Sequence, residues 1–167
     1  MDARAPRRLS GPGAAGQYVR GLPVRDDRWV TRPVKRTSSL EELEGVRRPP
    51  PPADATRLVA TAHDLRRRPI GTLDAEGLRL LITQDVGLPY LLPLAVELLR
   101  ADPLVEGDLY EGDLLSAALT RAASAWSEVP DAARELRDIV SGPLGSGDLP
   151  PSLRAEAAGF LDVTGRA

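Results

Sequence analysis

Residues 69–119 read PIGTLDAEGLRLLITQDVGLPYLLPLAVELLRADPLVEGDLYEGDLLSAAL, and the spacing of their apolar side chains decides the fold. Leu78, Leu81 and Ile82 recur at i, i+3 and i+4, one face of a helix that Asp74 can cap and that Gln84 and Gly87 close. Leu91, Leu94, Ala95 and Leu98 draw a second stripe, widened by Leu92 and Leu99, which predicts a largely buried helix. Pro93 lies inside that run and removes a backbone hydrogen bond at about 3 kcal/mol, so the helix is expected to begin near Pro89 or Tyr90, or to bend. Leu114, Leu115, Ala118 and Leu119 mark a third helix with Asp113 in its first turn, where a carboxylate suits the helix dipole. Gly87 and Pro89 separate the first two helices by only a few residues, and so short a connection makes them neighbours packed at a steep angle or antiparallel. The expectation is an all-α chain, a small single-domain helical bundle.

Working outward, SLEELEG at 39–45 places a hydroxyl before Leu40, carboxylates in the first turn and a glycine after the last, a short capped helix. Pro49 to Pro52 form a stiff polyproline spacer. A helix follows over Asp54 to Arg67, with Asp54 as cap and Leu58, Val59, Ala62 and Leu65 on one face; Arg66, Arg67 and Arg68 sit at its C-terminal end, where the dipole favours cations. Beyond the central stretch, Ala122–Glu128 and Pro130–Val140 read as two further helices, Pro130 at a first helical position and Ala133, Leu136, Ile139 and Val140 on the apolar face. Ser152–Leu161 offers Leu153, Ala157, Phe160 and Leu161 for a last helix, weakly docked at most. Residues 1–37 show no periodicity and are read as a disordered or loosely packed basic arm, with a strand-like stretch at Asp26–Val34. The domain is thus placed at 38–141, and 142–167 is a linker with that terminal helix.

Composition removes several classes of function. There is no cysteine, hence no disulfide framework and no thiolate chemistry. No stretch approaches the eighteen or so apolar residues of a membrane span, and the N-terminus lacks the apolar run of a secretory signal, so a cytoplasmic protein is expected. Lys35 is the sole lysine and asparagine is absent, which points to a G+C-rich genome and says nothing of activity. Residues 1–48 carry net charge +5 and the remainder −7, within an overall −2. The folded part is the acidic part, which argues against direct nucleic-acid binding. A helix-turn-helix reading around Gly87 fails for the same reason, since the would-be recognition helix is leucine-rich and bears only Glu97 and Arg100.

Chemistry concentrates in one acidic loop. Asp102, Glu106, Asp108, Glu111 and Asp113 surround Tyr110 without a basic residue among them, and Glu97 lies on the helix before. As a cation site the run lacks the D-x-D-x-D-G order; as a general acid/base pair it lacks a partner motif. The lone His63 has no Ser/Asp set around which to build a triad. Two readings remain and are compatible. Asp108, Glu111 and Asp113 serve the start of the third helix while Gly107 and Gly112 serve the turns. Alternatively, Tyr110 with Asp108 and Glu111 centres a recognition surface for a basic protein, with Glu97, Asp102, Glu106 and Asp113 as its charged surroundings.

SLEELEG, RPIGTL (68–73), LRLLITQDVGLPYLLPLA (78–95) and GDLYEGDLL (107–115) together resemble the immunity-protein family of bacterial contact-dependent growth inhibition systems, over roughly Ser39 to Leu119. The resemblance implies a small, non-enzymatic cytoplasmic protein that binds the toxin domain of a matching effector and blocks it. No cofactor and no metal are expected from the residues, and the expected state is a monomer. Such toxins are often nucleases, whose basic surroundings would suit the acidic loop. The rival classes are a small carboxylate- or metal-dependent hydrolase and a non-catalytic helical regulatory scaffold.

Overall fold

The computed structural model describes residues 35–142 and 149–165. Among them are eight α-helices: α1 Leu40–Glu44, α2 Arg57–Arg66, α3 Ala75–Thr83, α4 Leu88–Ala101, α5 Asp113–Leu119, α6 Ala123–Ser127, α7 Pro130–Ser141 and α8 Pro151–Thr164. A 3₁₀ turn at Ile70–Thr72 precedes α3, and an isolated bridge pairs Ser39 with Pro69. The all-α expectation holds. The strand-like stretch at 26–34 and the arm as far as residue 34 lie outside the described residues.

Local chemistry sets most boundaries. Ser39 and Glu42 form a reciprocal capping box, and Gly45 ends α1 in the left-handed conformation. Asp74 caps α3 through the Gly77 amide at 2.8 Å. Pro130 opens α7 at a first helical position. α4 begins at Leu88, a residue earlier than expected, so the bond that Pro93 forfeits is the one to the Pro89 carbonyl in the first turn, at an exposed residue. α2 differs from expectation in two respects. Its cap is Thr56, which accepts from the Val59 amide, and Asp54 lies before it in a turn. Its supposed apolar face is also half in water: Leu58 and Val59 are about half exposed, while Leu65 is buried in the core and Ala62 packs partly buried against it. Arg66 is buried there too and donates to Glu44, so the end of α2 is fastened to α1 by charge as well as by hydrocarbon.

The core runs through Leu40, Ile82, Leu91, Leu99, Leu115 and Leu136, all fully enclosed, and each such side chain contributes roughly 1.5–3 kcal/mol by leaving water. α3 packs on α4 and α5, α4 on α7, and α5 on α8. That last contact departs from the sequence reading of a weakly docked terminal helix. Leu149, Leu153, Ala157 and Phe160 are buried in the same cluster, and Phe160 meets Trp126 edge-on with ring centroids 5.2 Å apart. The signal was diluted because α8 also carries Arg154, Glu156 and Asp162 and because its main partner is α5, more than thirty residues back, with α6 and α7 adding smaller contacts.

The start of the described chain is likewise tied down. The Arg36 carbonyl accepts from the Gly71 amide at 2.9 Å, Ser38 accepts from Ile70 at 3.0 Å, and the Arg36 guanidinium reaches Glu97 on α4.

Candidate functional site

Between α4 and α5 the chain makes a loop, Asp102–Gly112, that gathers the acidic residues singled out in the sequence. Its base is closed by backbone: the Asp102 amide bonds Leu98 at the end of α4, the Gly112 amide bonds the Leu104 carbonyl at 3.0 Å, and the Asp113 amide bonds Tyr110 at 3.1 Å. The Asp102 carboxylate accepts from the Leu104 amide two residues on, a local turn that its short side chain favours. Gly112 sits at φ 85°, a conformation that costs glycine nothing, and a Cβ there would lie 2.6 Å from Leu153 of α8.

The tip is organised by side chains instead. Asp113 points back under the loop, and its two oxygens accept the Gly107 amide at 2.7 Å and the Leu109 amide at 3.0 Å. Glu76, in the first turn of α3, accepts the Asp108 amide at 3.1 Å. Arg79, one turn along α3, donates through Nε and Nη2 to the two oxygens of Glu76, each at 2.6 Å, and its Nε lies 3.6 Å from Asp113 Oδ2. The arginine's hydrogen bonds hold the Glu76 carboxyl below its ordinary value, helped by the Asp108 amide and opposed by partial burial; Glu76 in turn pushes Arg79 further up. Gly107 is the close approach in this arrangement, since a Cβ would stand 2.8 Å from Glu76 Oε2 and 2.9 Å from Asp113 Oδ2.

The expected site residues therefore divide. Glu106, Asp108, Glu111 and Tyr110 face outward, as does Asp102, and they are brought together on one loop. Asp113 is only 2% exposed. It does not form part of an outer rim but holds the loop from inside, because two loop amides that bond no backbone carbonyl end on it and the Arg79 guanidinium lies beside it. Glu97 belongs to α4 and is engaged by Arg36 at 2.6 Å rather than by the loop. The sequence reading missed Leu109, which at 62% exposed is the most solvent-facing large apolar side chain among the described residues and sits beside Tyr110 at 49%. It also missed Glu76 and Arg79. Their i, i+3 spacing was a visible pairing signal, but the reach from Glu76 to the amide of Asp108, 32 residues on, left no trace in the sequence.

The buried carboxylate has its oxygens occupied, no group of three His, Asp or Glu among the described residues is placed to hold a metal, and His63 on α2 has only Asp64 in ion-pair reach, at 3.8 Å. The loop offers two exposed apolar side chains ringed by carboxylates on a firm base, which fits a surface with basic groups around an apolar recess.

Comparison with known proteins gives one finding. Residues 42–136, which run from α1 into α7 and contain the whole loop together with Glu76, Arg79 and Asp113, match the family model described as CDI immunity proteins. No curated protein matches the chain.

Proposed function

The chain belongs to the family of CDI immunity proteins, and from that premise we propose that it binds the toxin domain of its matching effector through the loop Asp102–Gly112 and so blocks it. The observation that carries this is the exposed Leu109–Tyr110 pair, set among the outward carboxylates of Asp102, Glu106, Asp108 and Glu111 on a loop whose shape is fixed before any partner arrives. Aromatic and aliphatic side chains provide buried area at the centre of an interface, and surrounding charge steers and orients the approach. Glu106 and Glu111 take no ion-pair partner among the described residues, so their field is directed outward. A toxin acting on nucleic acid, basic around its cleft, is the partner this surface suits best. Inhibition then needs no catalysis by this chain; covering the cleft or the surface beside it is sufficient. The site of action is the cytoplasm, as a monomer. An interface of roughly 1,600 Å² is the usual size for a specific complex of this kind.

Co-expression with the toxin domain encoded beside it is the direct test, scored by survival and co-purification. The double variant Glu106→Lys/Glu111→Lys is expected to slow association by about tenfold or more and to flatten its dependence on salt, while leaving the thermal midpoint nearly unchanged. Wild-type association in that variant would remove the loop from the interface.

A further inference from the structure

We propose that Glu76 and Arg79 on α3 are positioning residues for the docking loop: they set how tightly the partner is held without touching it. The proposal rests on the docking reading above. Three consecutive amides at the loop tip, Gly107, Asp108 and Leu109, all end on carboxylates from neighbouring helices, and none of them bonds a backbone carbonyl. The tip therefore has no ladder of its own, and its conformation is written by Asp113 and Glu76.

Those two carboxylates converge on one place, as the seat of Gly107 shows. Two like charges so close repel unless a cation lies against both, and Arg79 is that cation, with its fork on Glu76 and its Nε turned towards Asp113. Removing it drives one carboxylate out towards water and releases the amides that carboxylate held. The Leu109–Tyr110 tip then samples several shapes, and binding has to restore one of them. A lysine keeps the charge but presents a point instead of a planar fork, so it satisfies only part of this arrangement.

The experiment uses the full chain with Arg79→Met, Arg79→Lys and Glu76→Gln, read by amide hydrogen exchange and by dissociation from the toxin domain, with Glu106→Lys/Glu111→Lys alongside. In Arg79→Met, exchange at residues 107–109 is expected to quicken about tenfold or more while amides in α4 and α7 stay as in the wild type, and the toxin leaves about tenfold faster. Arg79→Lys should fall between. Glu76→Gln keeps one oxygen for the Asp108 amide but gives up the charge and the second acceptor that Arg79 Nη2 uses, so it tests the same arrangement from the other partner should Arg79→Met fold poorly. Unchanged exchange at the three amides, or faster exchange with wild-type dissociation, overturns the proposal. If the outward charge reversals weaken binding and the α3 variants do not, positioning falls and docking stands; if the charge reversals bind as the wild type does, docking falls and positioning with it.

Discussion

The loop at 102–112 and the helix α8 are both fastened to α5, and they are fastened by opposite means. The loop is held by carboxylates, amides and one guanidinium; α8 is held by Leu153, Ala157 and Phe160 against an apolar surface. Hydrogen bonds to charge are directional and fix a shape to within a fraction of an ångström, whereas hydrocarbon burial is non-directional and fixes a position mainly by volume. A segment that must present side chains in one arrangement is served by the first, and a helix that has only to close a core is served by the second. The two meet at Gly112, whose left-handed backbone brings the end of the loop against Leu153.

The comparison can be broken by substitution. Asp113→Ala leaves two loop amides and part of the Arg79 charge without their partner, and should lower the unfolding free energy by about 4 kcal/mol in denaturant titration. A loss under about 1 kcal/mol would mean that water replaces the carboxylate, and the loop would then not be held by it. Leu153→Ala should cost about 3 kcal/mol, the transfer of the lost atoms plus the cavity they leave. A terminal helix docked only loosely would lose far less.

The smallest effect sharpens the contrast most, because it separates the two regions by pH. The Glu76 carboxyl is held below its ordinary value of 4.5 in the folded protein, so its contribution to stability is fully present above that value and is lost as pH falls through the lower, folded one. Glu76→Gln should therefore lower the thermal midpoint at neutral pH, with the deficit shrinking in acid and vanishing below the folded-state value. The deficit from Leu153→Ala contains no titrating group and should persist across the same range in matched melts. A Glu76→Gln deficit that is equally indifferent to pH would detach the Arg79 pair from loop stability.

What the sequence revealed follows the same division. Signals confined to one helical turn were legible: the Ser39 hydroxyl ahead of α1, the Asp74 cap, Pro130 at the head of α7 and the stripe through Leu91 and Leu94 all fall where local spacing placed them. The cap of α2 was misplaced by two residues because Asp54 and Thr56 are both competent acceptors before Arg57, and only the chain's path out of the prolines chooses between them. The acidic loop was legible as a cluster of charge. Its inside and outside were not, since Asp108, Glu111 and Asp113 look alike until α3 supplies the arginine that draws one of them inward. The docking of α8 stayed hidden because its stripe had to be matched to faces on α5 and α6, and such pairing is a property of the assembled chain.

Because the anchors lie beneath the loop and the displayed side chains lie above it, the two sets can change independently. Glu106, Leu109, Tyr110 and Glu111 can be exchanged for other residues while Glu76, Arg79, Gly107 and Asp113 keep the same backbone trace. On the docking reading proposed above, such a division lets successive descendants of this chain follow an antagonist that alters its own surface one outward residue at a time, without rebuilding the platform beneath.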